Sequence, residues 1–283
     1  MILLAQIIDG RVIARELRSS VSDSIKQLNF QPQLHVILVG DDPASHAYAR
    51  SKVRACTNVG INCELHTFPE TYPQAELEEL INQMNNDNNV HGIMIELPLP
   101  RSIKQDEVLA LVNPLKDVDG VTPTSQAYLG SNREWLFPAT PQSVMAILKS
   151  IDFPLQGAEV CLVGYGATVG RPLAQLIMRE NPTLTICQVF TKDTGKHTRE
   201  ADLVIVAVGR PKLITADMLK PGCTVIDVGI NELPDGTLTG DVDYEPACEV
   251  AGAITPVPGG VGALTTVIIM QNLLKALHLQ NKI

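Results

Sequence analysis

The chain has 283 residues, enough for one large core or two modest domains. Apolar residues make up 45% and charged residues 19%, an ordinary globular composition, and no apolar run is long enough to span a membrane. The net charge of −9 opposes general binding to a nucleic-acid backbone and leaves room only for a local cationic pocket for a small anion.

The N-terminal MILLAQIIDGR has no basic segment ahead of its short apolar run, so no secretory leader is read there and a cytoplasmic protein is expected. Residues 9–28 have the spacing of an amphipathic helix. LHVILVG (34–40) reads as a strand, 44–59 as a helix, INCELHTF (61–68) as a strand and AELEELINQMNND (75–87) as a helix. VHGIMIE (90–96) is a third strand running into LPLP, and 103–112 is another helix. Residues 113–141 are rich in turn formers and read as irregular.

A second series then opens. AEVCLVG (158–164) is a strand and PLAQLIMRE (172–180) a helix. LTICQVF (184–190), DLVIVAV (202–208) and CTVIDVGI (223–230) are further strands, and 263–279 is a last apolar helix. Apolar strands separated by helices of this length imply βαβ units and parallel sheets. The expected fold is therefore α/β with two α/β domains and a cleft between them. The first domain is expected over 1–138 plus 263–283, the second over 139–262. The six cysteines (56, 63, 161, 187, 223, 248) form no CxxC and do not cluster with histidine. They read as buried free thiols, and no metal site is expected.

GYGATVGRP (164–172) follows a buried-type strand and leads into a helix, the context of a phosphate cradle. Its third glycine comes one residue later than in the usual dinucleotide fingerprint. Gly164, Tyr165, Gly166, Thr168, Val169 and Gly170 are the expected cofactor contacts, in a Rossmann-like second domain. An NAD site usually carries an acid at the end of the next strand. Here that end offers Thr191 and Lys192, which can hold a 2′-phosphate, so NADP is favoured and NAD is the alternative.

Further motifs occur in order: YARSK (48–52), ELPLP (96–100), KDVDG (116–120) and, after the glycine loop, PVPGGVG (256–262). With them the chain resembles the bifunctional methylenetetrahydrofolate dehydrogenase/cyclohydrolase family over nearly its whole length. The resemblance implies hydride transfer from 5,10-methylenetetrahydrofolate to NADP, then hydrolysis of the methenyl product to 10-formyltetrahydrofolate. It also implies a homodimer that uses a folate substrate and no metal. It assigns chemistry to Tyr48, Lys52, Glu96 and Asp119, substrate contacts to Tyr48, Leu97, Pro98, Asp119, Pro258, Gly259, Gly260 and Val261, and a cofactor contact to Ile230. Tyr48 and Lys52, four apart, share one helix face. Tyrosine can lie on a pterin ring, lysine can shuttle a proton, and Asp119 can accept from pterin N–H groups.

The chain departs from the family's pattern at several of these motifs. The family normally has glutamine where Glu96 stands and serine where Gly166 stands. Ala139, Ser143, Ala263 and Leu264 are further departures. An ionised Glu96 beside Lys52 favours the charged lysine, which opposes a proton-shuttle role. A dehydrogenase with weakened cyclohydrolase, and a dinucleotide-binding protein without catalysis, are therefore the alternatives.

Overall fold

The computed structural model describes residues 5–131 and 133–283. Its first elements are β1 (Gln6–Ile7), α1 (Gly10–Lys26), β2 (Gln33–Val39), α2 (Pro43–Asn58), β3 (Asn62–Phe68), α3 (Gln74–Asn86), β4 (Gly92–Ile95) and α4 (Gln105–Leu111). Then come α5 (Pro123–Leu129), α6 (Ala139–Ser150), β5 (Glu159–Val163), α7 (Gly170–Met178), β6 (Thr183–Cys187), α8 (Thr194–Thr198), β7 (Leu203–Val206) and β8 (Thr224–Asp227). The chain closes with β9 (Asn231–Glu232), β10 (Leu238–Thr239), α9 (Tyr244–Ala247), β11 (Ala253–Ile254) and α10 (Thr265–Leu279).

The chain divides into two compact units, one of Glu16–Ala139 with Thr266–Ile283, the other of Thr140–Thr265 with the residues up to Arg15. The first holds a three-stranded sheet in the order β3-β2-β4, all parallel. Residues 34–39 of β2 and all of β4 are buried, as an apolar strand must be when both faces of a parallel sheet are covered. Leu77, Ile81 and Met84 of α3 pack with Ile37, Val39, Ile93 and Ile95 of the sheet. In α10, the buried Asn272 amide donates to the carbonyls of Val118 (2.7 Å) and Phe137 (2.9 Å), which fixes the chain on either side of α5.

The second unit holds a six-stranded parallel sheet in the order β1-β11-β8-β7-β5-β6. Its core joins Cys161, Val163, Val204, Val206 and Val225 of the sheet to Ile214, Leu219, Val242 and Ala247. An antiparallel pair, β9 with β10, stands apart from that sheet.

The expected boundaries differ from this structure in three places. The N-terminal segment, grouped with the first domain, sends β1 to pair with β11 at the edge of the six-stranded sheet. A two-residue strand has too little pattern to announce its partner. Residues 113–141, read as irregular, contain α5 and the start of α6. The local signal for α5 is Thr122, whose hydroxyl accepts from Ser125 N at 3.2 Å, followed by Pro123 in the first turn. The strand read as 184–190 ends at Cys187, and its last three residues enter a turn.

Candidate functional site

In the first unit, Asp42 caps α2, its carboxylate accepting from Ser45 N at 2.8 Å, and Pro43 occupies the first turn. The helix so started carries Tyr48 and Lys52 one turn apart. Lys52 is buried, and its Nζ donates to both oxygens of Glu96, at 2.7 and 2.8 Å. Both side chains are shielded, 7% exposed for Lys52 and 13% for Glu96. The ammonium also lies 4.4 Å from the centre of the Tyr48 ring and 4.0 Å from Met94 Sδ. Tyr48 itself is 47% exposed, and one face of its ring meets the lysine.

Glu96 is placed by β4, which ends one residue earlier, and by its own N–H, which donates to Ile37 O at 2.8 Å. Position 96 therefore stands at the carboxyl end of a parallel strand, where open α/β sheets bind ligands. Leu97 is half-buried and Pro98 exposed beside it.

The KDVDG motif divides its labour. Lys116 is buried and donates to the carbonyls of Met84, Asn85 and Asp87, at 2.9, 2.8 and 2.7 Å, which closes the C-terminus of α3. Asp117 accepts from Val121 N, Thr122 N and Ser125 Oγ, at 3.1, 2.8 and 2.7 Å, and so builds the turn into α5. Neither residue was assigned a role from the sequence, and both are structural. That leaves Asp119, which keeps part of its surface open while its carboxyl is packed closely by protein. Loss of water lifts it to about 7, against the pull of Lys52, with Asp117 and Glu96 adding repulsion. Asp119 thus responds to the charges of the Lys52–Glu96 pair.

In the second unit, Gly164 and Gly170 explain the late third glycine. A Cβ on Gly164, at φ +106°, would meet Ala207 O at 2.1 Å. One on Gly170 would meet Gly164 O at 2.3 Å. The loop folds back on its own start as α7 begins, and only glycine allows that approach. A Cβ on Gly166 would meet nothing within 4 Å, so its space is open and the loop needs no glycine there. Tyr165, Gly166 and Thr168 are exposed and Val169 half-buried, a backbone run lying over the first turn of α7. The Arg171 guanidinium lies 5.8 Å from the Tyr165 ring centre. This arrangement fits a dinucleotide pyrophosphate on chemical grounds, with exposed backbone at 165–168 leading into a helix N-terminus and open space at Gly166.

Thr191 closes the turn after β6, and Lys192 is exposed beyond it. Asp193 caps α8 through Lys196 N at 2.9 Å, so it is occupied with the helix. Ile230 is 60% exposed. In the loop at 256–262, Pro258 is exposed and Gly259 half-buried, whereas Gly260 and Val261 are buried. Val261 therefore anchors its loop in the core. Asp241, unassigned from the sequence, fixes the loop after β7 by accepting from Val208, Gly209 and Arg210 N–H groups at 2.7, 2.9 and 2.8 Å.

Among the described residues one cluster gathers three metal-type donors, His35, Glu64 and His66. His35 Nδ1 and His66 Nε2 are 2.9 Å apart with ring planes 12° from parallel and centroids 5.1 Å apart. That is a head-on N–H···N bond between two imidazoles whose protonation is disfavoured by burial.

A buried lysine–carboxylate pair at the strand ends of one unit, and a glycine loop feeding a helix in the other, define a dinucleotide-dependent α/β enzyme. Comparison with known proteins gives the family. The tetrahydrofolate dehydrogenase/cyclohydrolase catalytic domain matches residues 8–119, and the NAD(P)-binding domain of the same family matches residues 138–281. A bifunctional FolD protein of Pelotomaculum thermopropionicum is 48% identical over 280 residues, covering 98% of this chain and 99% of the relative. The crystal structure of the bifunctional FolD methylenetetrahydrofolate dehydrogenase/cyclohydrolase from Campylobacter jejuni, 39% identical, matches with a TM-score of 0.94 over 99% of this chain and 100% of that one. The Trypanosoma brucei methylenetetrahydrofolate dehydrogenase-cyclohydrolase, solved with NADP cofactor and inhibitor, is 29% identical with a TM-score of 0.94, covering 99% of this chain and 100% of that one. The chain belongs to the tetrahydrofolate dehydrogenase/cyclohydrolase family.

Proposed function

We propose that this chain oxidises 5,10-methylenetetrahydrofolate to the methenyl form with NADP, and hydrolyses the methenyl form to 10-formyltetrahydrofolate. The observation that carries the reading is the Tyr48–Lys52–Glu96 assembly, standing in the segment that matches the family's catalytic domain. The exposed face of Tyr48 stacks on the pterin, and Asp119 accepts from its N–H groups when ionised. Leu97, Pro98 and the exposed part of the 256–262 loop complete the substrate contacts. NADP, when bound, accepts the hydride released by the methylene carbon. The backbone at 164–170 holds its pyrophosphate, with Thr191, Lys192 and Ile230 as further contacts. The reading extends to a homodimer acting in the cytoplasm. Six free thiols among the described residues fit a reducing compartment, and light scattering of the purified protein measures the subunit count.

Hydrolysis makes a demand on Lys52 that oxidation does not. Water adding to the methenyl carbon must lose a proton, and ring opening must place one on the departing nitrogen. Here the lysine proton is held by two carboxylate oxygens in a shielded place, so its release leaves a carboxylate without its partner. This favours a second reading of the same site, in which dehydrogenase turnover outpaces cyclohydrolase turnover. The test follows reduced nucleotide and methenyl absorbance together, with NADP and with NAD. Methenyl accumulating in step with reduced nucleotide supports the imbalance, whereas methenyl consumed as fast as it forms refutes it. Glu96→Gln is expected to raise the cyclohydrolase-to-dehydrogenase ratio roughly tenfold.

A further inference from the structure

Val189 and Phe190 are the most exposed large apolar side chains among the described residues, at 87% and 92%. They sit together at the corners of a tight turn. Thr191 N donates to Gln188 O at 2.8 Å, and Gln188 N donates to Thr191 Oγ1 at 2.9 Å, so the turn is closed from both sides. Turn corners favour Gly, Pro, Asn, Asp and Ser, each for a backbone or hydrogen-bonding reason. Neither corner residue has a positive φ, and neither side chain is needed to close the turn.

The turn's position supplies the reason. Gly164 N donates to Cys187 O at 2.8 Å, which ties the start of the glycine loop to the last residue of β6. Val163 of β5 is in register with Cys187 of β6. In a doubly wound sheet the adenosine half of a dinucleotide lies at the tip of the strand beside the glycine strand. The groups that ordinarily grip the ribose there are missing or engaged: Thr191 Oγ1 accepts within the turn, and Asp193 caps α8. Lys192 is the single cation of residues 188–192.

Resting on the dinucleotide reading above, we propose that Phe190, flanked by Val189, is the platform on which the adenine ring stacks. The grip on this half of the cofactor then comes from the face of the base, and Lys192 alone senses the 2′-phosphate. An aromatic platform is blind to the phosphate, because every adenine presents the same π-face. The two residues therefore divide recognition: Phe190 serves NADP and NAD alike, and Lys192 serves NADP only.

Calorimetric titration of the purified full chain tests this without turnover, using NADP, NAD, ADP-ribose and nicotinamide mononucleotide as separate probes. Phe190→Ala is expected to raise Kd for NADP, NAD and ADP-ribose by the same factor, about five- to tenfold, and to leave nicotinamide mononucleotide unchanged. Phe190→Trp restores the affinity, and Lys192→Ala weakens NADP alone. The exposure of Phe190 means that its removal leaves the thermal midpoint unchanged. The platform is overturned if Phe190→Ala binds all three adenine-containing probes within twofold of the parent, or if Phe190→Trp fails to restore them. It is equally overturned if Phe190→Ala spares binding and changes the oligomeric state, since the residue then covers a second copy. If the parent binds no dinucleotide at all, the cofactor reading itself falls, and the platform with it.

Discussion

The two units carry their chemistry in opposite ways. In the three-stranded unit the site is made of side chains: a buried ammonium held by a carboxylate at 2.7 Å, an aromatic ring beside it and a carboxyl lifted to about 7. In the six-stranded unit it is made of backbone, a loop whose Gly164 and Gly170 have no space for a Cβ and whose residues 165–168 are exposed. A site of buried charges is disabled by removing a group, because a partner is left desolvated and alone. A site of backbone is disabled by adding one, because the approach it depends on is blocked.

Substitutions in the two units should show that asymmetry. The largest effect is expected from Lys52→Met, with cyclohydrolase turnover falling about 100-fold or more and dehydrogenase turnover falling less. Circular dichroism must accompany the kinetics, because an unpaired buried Glu96 costs about 3–5 kcal/mol. Equal loss of both activities in a folded protein would remove the distinction drawn for Lys52. Gly164→Ala is expected to cost about 2–4 kcal/mol in denaturant unfolding, through its positive φ and the contact with Ala207 O.

Asp119 sharpens the comparison through pH. Ionised, it accepts from the pterin, so folate affinity is expected to fall roughly tenfold between pH 8 and pH 6, as the carboxyl at about 7 takes up a proton. Asp119→Asn flattens that dependence in a binding titration. Stability moves in the opposite sense. A carboxyl raised from 3.8 to about 7 contributes stability that is full at low pH and lost as pH rises through 7. The midpoint of Asp119→Asn should therefore gain on the parent between pH 5 and pH 8, by the equivalent of about 2–3 kcal/mol. The smallest effect belongs to Gly166→Ala, expected within about 0.5 kcal/mol of the parent because its Cβ meets open space. A large loss of stability there would mean that the loop is strained where the structure shows room.

Much of this was legible in the sequence because it is periodic or local. Strands β4 and β7 read as short apolar runs, since strands covered on both faces must be apolar throughout. Tyr48 and Lys52 could be placed on one helix face by spacing alone. The helix at Pro123–Leu129 and the start of Ala139–Ser150 were lost among turn residues, although Thr122 and Pro123 marked the start of the first. PVPGGVG is read as a unit in the sequence, and only the fold separates its buried members, Gly260 and Val261, from the exposed Pro258.

The sequence by itself determined the α/β class, the order of strands β2 to β8 along the chain and the residue types of both sites, because these follow from hydrophobic period, turn chemistry and motif spacing. The tertiary structure decided which partners those residues take. It brought Glu96, 44 positions from Lys52, within 2.7 Å of the ammonium. It also set Lys116 and Asp117 to structural work while leaving Asp119 to titrate, and paired β1 with β11 in the six-stranded sheet. The physical reason is the range of the forces: propensity and pattern act over a few neighbours along the chain. Desolvation, ion pairing and sheet registry depend on groups that meet only when the chain is folded.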